Sequence, residues 1–292
     1  MLQRSVRRIT LDNKLEILIP ENFDIAQIFD CGQCFRFNRL PETVGAGVTY
    51  EGVAFDKYIK AEQKGRLLTL YNVERSEFDN IWYPFFDLGT DYSLFEKHFA
   101  DDETLRVAAK FSSGIRILRQ DKWETLCSFI ISQNNNIPRI KGIIENMSKA
   151  FGKKVYEDEN KSYYSFPTAE ALYEAGEEKI FELKTGFRAK YIYDAAKTVC
   201  ENPYFLTEVS GLETPEASKL LQQIKGVGAK VAACTLLFGF SRYDSFPVDV
   251  WVKKVLEKYY PQGIQGHLAG EYAGVAQQYL FYYERCINNV FI

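Results

Sequence analysis

A change of hydrophobic period near residue 92 constrains this chain more than any other feature. Before it, apolar residues recur at a spacing of two, in short runs set between turn formers. Arg8-Ile9-Thr10-Leu11, Leu15-Glu16-Ile17-Leu18-Ile19, Cys34-Phe35-Arg36-Phe37, Val48-Thr49-Tyr50-Glu51-Gly52-Val53-Ala54-Phe55 and Arg66-Leu67-Leu68-Thr69-Leu70-Tyr71 read as strands. Pro41-Glu42-Thr43 and Gly45-Ala46-Gly47 read as the turns between them. After the change the spacing is helical. Trp123, Leu126, Cys127 and Ile130 follow a capping-box-like start at Asp121 and Glu124. Ile140, Ile143, Ile144 and Met147 repeat the pattern, as do Ile192, Ala195, Ala196 and Val199, and then Val252, Val255, Leu256 and Tyr259. No repeat, low-complexity tract or flexible linker intervenes. The expectation is an α+β protein, with an N-terminal antiparallel β-sheet domain over residues 1–105 and an all-helical domain over residues 106–292.

Composition narrows the function classes. A chain of 292 residues, 46% hydrophobic and 15% aromatic, has ample apolar surface for a core and is not disordered. No apolar run reaches the roughly 18 residues of a membrane span. Arg4, Arg7 and Arg8 lack the apolar stretch that would follow them in a secretory signal, so a prokaryotic cytoplasmic location is expected. The net charge of −3 is unusual for a nucleic-acid binder. Its distribution matters more. Arg139, Lys141, Lys149, Lys153 and Lys154 share a stretch in which Glu145 is the only acid before Glu157. That run fits either a basic binding face or a solvated surface. Of the six cysteines only Cys31 and Cys34 have ligand-like spacing, and no second pair completes a zinc site. His98 and His267 are isolated in the sequence, so no metal site is expected.

Two residues are placed for chemistry. Thr214 and Pro215 read as the N-cap and first position of a helix that Leu220, Leu221 and Ile224 continue. Gly226 and Gly228 then permit a tight turn whose backbone N–H groups suit a phosphate, completing a helix-hairpin-helix over about 215–240. Lys230 follows, on one helix face with Cys234 at i+4. An amine there is either a solvated lysine or a partly desolvated nucleophile able to form a Schiff base. Asp249 closes Ser245-Phe246-Pro247-Val248-Asp249 just before another helix. It reads as an N-cap and, compatibly, as a fixed carboxylate that steadies developing positive charge.

Four phrases, in order along nearly the whole chain, carry a resemblance. Cys31-Gly32-Gln33-Cys34-Phe35-Arg36-Phe37, Ser132-Gln133-Asn134-Asn135-Asn136-Ile137-Pro138-Arg139-Ile140, Ile224-Lys225-Gly226-Val227-Gly228-Ala229-Lys230-Val231-Ala232-Ala233-Cys234 and Pro247-Val248-Asp249-Val250 are similar to the signatures of the 8-oxoguanine DNA glycosylase/lyases, a helix-hairpin-helix family. The resemblance implies a bifunctional DNA glycosylase and AP lyase acting on duplex DNA that carries 8-oxoguanine, preferentially opposite cytosine. In that reading Lys230 is the nucleophile and Asp249 its electrostatic partner. The Gly32 carbonyl accepts the extra proton on N7 of the lesion. Cys234 and Phe281 sandwich the flipped base and Gln277 reads its Watson–Crick edge; Gln277 and Phe281 are i, i+4 and share a helix face. Asn134, Arg139 and Arg188 face the orphaned cytosine, Phe187 wedges into the duplex, and Gly226 and Gly228 meet a phosphate. Asn135 and Asn136 stay turn formers.

The resemblance also implies no iron–sulfur cluster, since Cys286 stands alone where cluster-bearing relatives carry four cysteines. It adds a monovalent cation at the hairpin, a monomer, and association with the nucleoid through DNA. Three positions depart from the family pattern. Lys225 replaces a proline, which is expected to loosen the turn; Trp251 replaces a phosphate-contacting histidine; Phe187 replaces a tyrosine. Two rivals remain. A monofunctional alkylpurine glycosylase would lack Lys230, and a DNA-binding protein without activity would leave Lys230, Cys234, Asp249, Gln277 and Phe281 unexplained.

Overall fold

The computed structural model describes residues 14–41 and 44–288; the strand expected at Arg8–Leu11, the N-terminal arginines, and the turn residues Glu42 and Thr43 lie outside that range. Five strands form one antiparallel sheet: β1 (Lys14–Leu18), β2 (Phe37–Arg39), β3 (Val48–Ala54), β4 (Lys57–Lys64) and β5 (Leu67–Tyr71), in the order β1-β5-β4-β3-β2. Period-two alternation aims Tyr50, Ile59, Ala61, Leu68 and Leu70 at one face. The short helix α1 (Ile25–Asp30) covers that face, with Phe29 stacked on Phe37 at 4.1 Å between centroids. Phe78, Trp82, Phe85 and Phe86 complete this core.

Two expectations about the sheet change. The central strand β4 carries Lys60, Glu62 and Lys64 on its outward positions, which hides the alternation of Ile59 and Ala61. Cys34-Phe35-Arg36 is not a strand, since β2 begins only at Phe37. The reason is Gln33. Its buried amide donates to the carbonyls of Ile28 (2.9 Å) and Arg116 (2.7 Å) and accepts from Leu118 N–H (2.9 Å). The chain is thereby held in a turn, with Gly32 at φ +78°.

A second core begins at Tyr92, Phe95 and Phe99 and runs through the helices α2 (Glu103–Phe111), α3 (Lys122–Ser132), α4 (Ile137–Phe151), α5 (Ala169–Ile180), α6 (Ala189–Glu201), α7 (Phe205–Gly211), α8 (Thr214–Leu221), α9 (Ala229–Gly239), α10 (Val250–Tyr259) and α11 (Ala273–Ile287). Asp121 caps α3 by accepting from Glu124 N–H at 2.8 Å, worth about 1 kcal/mol. The stripe Ile140, Ile143, Ile144, Met147 is buried along α4. In α6, Ile192, Ala195 and Ala196 are buried, and Val199 packs against the core edge.

This half is not purely helical. A two-stranded hairpin, β6 (Lys154–Glu157) and β7 (Ser162–Tyr164), reaches back to the sheet. Tyr156 stacks on Tyr58 at 4.0 Å, and Tyr163 donates its hydroxyl to Glu51 at 2.6 Å. Buried Arg36 donates to Ser148 Oγ at 2.7 Å and to the Tyr164 carbonyl. Sheet and helices are therefore tied across more than 100 residues. No helix among the described residues is long and apolar enough to cross a membrane.

Candidate active site and nucleic-acid interface

The hairpin glycines divide their work. Gly226 takes φ +84°, and a Cβ there would lie 2.3–2.5 Å from the ring of Tyr191, so only glycine lets the turn rest on α6. Gly228 is the N-cap of α9. Lys225 does not loosen the turn: its backbone N–H, which a proline would lack, donates to Asp194 at 2.8 Å. Thr214 is the first residue of α8 and not its N-cap; Glu213 takes that place, and Thr214 Oγ1 donates instead to Asp244 at 2.9 Å.

That bond is one of several that hold the loop running to Asp249. Tyr243 reaches the buried carboxylate of Asp87, Ser245 Oγ donates to the Ala233 carbonyl at 3.0 Å, and Gly274 N–H donates to the Tyr243 carbonyl at 2.7 Å. A Cβ on Gly274 would meet Leu237 Cδ1 at 2.5 Å and the Ser245 carbonyl at 2.6 Å. The start of α11 is thus pressed against both the Asp249 loop and α9. Asp249 caps α10, accepting from Val252 N–H at 2.8 Å.

These constraints bring Lys230, Asp249, Cys234, Gln277, Phe281 and Gly32 to the walls of one cleft of about 420 Å³. Lys230 Nζ donates to Ser132 Oγ at 3.1 Å and lies 5.2 Å from the centre of the Phe129 ring. Burial pushes the Cys234 thiol up to about 11, with Lys230 pulling the other way. At neutral pH it is therefore a thiol, an apolar wall and not a second nucleophile. Gln277 is buried, and its Oε1 has no hydrogen-bond partner among the described residues. An orphaned amide oxygen beside a cleft is a place for a donor group of a ligand. Gln278, next to it, donates to the Cys31 carbonyl at 2.7 Å and so steadies the Gly32 turn.

Asn134, Arg139, Phe187 and Arg188 are not among the residues of the cleft wall. Asn134 and Arg139 are exposed, Asn134 with φ +47°. Asn136 caps α4 by accepting from Arg139 N–H at 3.0 Å, as a turn former would. Phe187 is 48% exposed, its ring edge-on to Tyr191 and therefore beside the Gly226 turn. Arg188 is buried: its guanidinium donates to the carbonyls of Gln133, Asn134 (2.8 Å) and Thr185 (3.2 Å). It clamps the asparagine loop onto the start of α6. Trp251 lines the cleft beside Arg285.

Sequence reasoning missed Ser132, Phe129, Gln278 and Arg285. Arg285 was within reach, because the spacing that pairs Gln277 with Phe281 continues to it at i+8. The two histidines, isolated in sequence, meet in space, with His267 Nδ1 3.3 Å from His98 Nε2. Among the described residues no group of three or more His, Cys, Asp or Glu side chains is placed to hold a metal.

A glycine hairpin presenting a lysine and a helix-capping aspartate to one cleft defines the helix-hairpin-helix class of base-excision proteins. The comparisons agree and go further. Residues 16–126 match the 8-oxoguanine DNA glycosylase N-terminal domain, and residues 127–265 match the HhH-GPD superfamily of base excision DNA repair proteins. An N-glycosylase/DNA lyase of Saccharomyces cerevisiae is 35% identical over 63% of this chain and 47% of the yeast protein. The Arabidopsis thaliana N-glycosylase/DNA lyase OGG1 is 30% identical over 87% of this chain and 75% of the plant protein. The chain thus spans about half the length of the first relative and three quarters of the second. The crystal structure of Clostridium acetobutylicum 8-oxoguanine glycosylase/lyase, in complex with dsDNA containing cytosine opposite 8-oxoG, superposes with a TM-score of 0.86. It is 39% identical and covers 96% of this chain and 100% of that one. The chain belongs to the 8-oxoguanine DNA glycosylase/lyase family.

Proposed function

We propose that this protein excises 8-oxoguanine from duplex DNA and nicks the strand by a lyase step. The observation that carries the reading is the meeting of Lys230, Asp249, Cys234, Gln277, Phe281 and Gly32 around one cleft. The duplex is bent and the lesion flipped, with Phe187 filling the space it leaves. Phe281 and the Cys234 thiol bracket the base. Gln277 Oε1 accepts from its Watson–Crick edge, and the Gly32 carbonyl accepts N7–H, which guanine lacks. The unprotonated amine of Lys230 attacks C1′ as the bond from C1′ to N9 breaks, and the departing purine takes a proton. Asp249 stabilises the cationic sugar in between. Ring opening gives a Schiff base between Lys230 and C1′. Loss of a proton from C2′ then expels the 3′ phosphate by β-elimination. These steps ask for no metal or cluster, and a monovalent cation at the hairpin carbonyls would serve phosphate binding only. We further propose that the enzyme works at the nucleoid of a prokaryotic cytoplasm, where chromosomal DNA is its substrate.

Borohydride trapping on duplexes carrying 8-oxoguanine, guanine or an alkylated purine opposite cytosine tests the reading. A covalent adduct on the 8-oxoguanine duplex alone is expected. Base release without an adduct would instead favour the monofunctional alkylpurine class.

Gly32→Ala is expected to slow excision of 8-oxoguanine by roughly tenfold or more. A residue with a Cβ is strained at φ +78°, which disturbs the turn and its carbonyl, while the added methyl only touches the Phe281 ring at 3.4 Å. Unchanged single-turnover rates would remove that carbonyl from lesion readout.

Readout of the orphaned cytosine is assigned to Asn134, Arg139 and Arg188, and the two arginines separate experimentally. Arg139→Ala is expected to flatten the preference for cytosine with little change in Tm, because the side chain is exposed. Arg188→Ala is expected to flatten it too, but also to cost about 1–3 kcal/mol of stability by orphaning carbonyls of the asparagine loop. To reach a base, Arg188 must exchange those carbonyls for cytosine. Retained opposite-base preference in the double variant would assign cytosine readout elsewhere.

A further inference from the structure

One cation in the cleft has no assignment. Arg285 sits on the same face of α11 as Gln277 and Phe281, with its guanidinium carbon 5.2 Å from the Phe281 ring centre and 6.0 Å from that of Trp251. One terminal nitrogen lies 3.8 Å from where a Cβ on Gly32 would be. The group is partly buried, and Nε is shielded from solvent without a hydrogen-bond partner. No described residue forms an ion pair or hydrogen bond with the guanidinium; Asp249 acts on it only at longer range. Arginines removed from water are normally paired, because an unpaired donor forfeits its hydration. Here two rings hold the fork in place, with Nε shielded and unpaired and the terminal nitrogens left open to the cleft.

The surroundings select the missing partner. Lys230 and the N-terminus of α10 share the cleft, and Asp249 is already engaged in capping that helix. The local field favours an anion, and a planar fork of donors suits a tetrahedral oxyanion in two-point contact. We propose that Arg285 binds a phosphate flanking the flipped nucleotide, holding its sugar over Lys230 and Asp249. This rests on the function proposed above, since it takes the ligand to be a nucleotide of duplex DNA. A base oxygen, such as O6 or O8 of the lesion, would satisfy the same donors, so the experiment must separate the two.

Binding is measured in the Lys230→Gln background, where turnover does not interfere, with Arg285 intact, Arg285→Met or Arg285→Lys. Methionine keeps the stem packed on the rings, and Tm controls for folding. One duplex carries 8-oxoguanine and another a tetrahydrofuran abasic analogue, each with native phosphates or with a neutral methylphosphonate at either phosphate flanking the lesion. Arg285→Met is expected to weaken both duplexes equally, by roughly tenfold, and to reduce the slope of log K against log salt by about one. Arg285→Lys should restore most of the loss. One methylphosphonate should weaken the Arg285 protein and leave Arg285→Met unaffected.

A loss confined to the 8-oxoguanine duplex would overturn the proposal in favour of a base contact. Equal methylphosphonate effects in both proteins, or no effect of Arg285→Met, would overturn it outright. Failure of the lesion reading looks different: the wild-type protein would trap guanine and 8-oxoguanine duplexes alike, while the coupling between Arg285 and the phosphate persisted.

Discussion

Lys230→Gln is expected to abolish the borohydride-trapped adduct and strand nicking, while binding to a lesion duplex stays within about twofold. Glutamine is shorter than lysine but keeps a donor for Ser132 Oγ, to which the amine donates at 3.1 Å. The side chain is only partly buried, with its amine facing the Phe129 ring and the Cys234 thiol. The change therefore removes the nucleophile with little else. Cys234 cannot substitute, because burial keeps it a thiol near neutral pH. Trapping assays and equilibrium binding on the same duplex decide the matter. A persistent adduct would place the Schiff base on another amine and overturn the assignment.

Asp249→Asn is expected to slow base excision by about 10²–10³, the scale of removing one preorganised electrostatic contact from a transition state. Its value lies in separating the two roles of this residue. Asparagine caps helices about as well as aspartate, so the bond from Val252 N–H survives and Tm should shift little. Only the negative charge is lost. Asp249→Ala removes cap and charge together and is expected to cost about 1 kcal/mol of stability in addition. Single-turnover excision rates set beside thermal melts distinguish these outcomes. An Asp249→Asn protein that excises at full rate would reduce Asp249 to a helix cap.

Both predictions concern residues that could be read in the chain before folding, and the reason is local. A lysine behind a glycine turn and an aspartate ahead of a helix are defined by neighbours within a few positions. The helical stripes of α3, α4 and α6 were legible for the same reason, as were β1, β3 and β5. Strand β4 was not, because its lysines and glutamate mask two inward residues. The alternation at Cys34 is real and suggests a strand, but the side chain that bends the segment, Gln33, takes two of its partners from more than 80 residues away.

The site divides along the same line. The sequence by itself determined the order of elements, the hairpin, the nucleophile and its carboxylate, since each follows from periodicity, glycine geometry or capping over a few residues. Only the tertiary structure decided how they converge. Gly274 presses α11 onto the Asp249 loop, Gln33 sets the Gly32 turn, Arg188 is drawn into the asparagine loop, and Arg285 is left with an empty guanidinium in the cleft. Burial and long-range hydrogen bonds make those choices, and neither is a property of a residue's immediate neighbours.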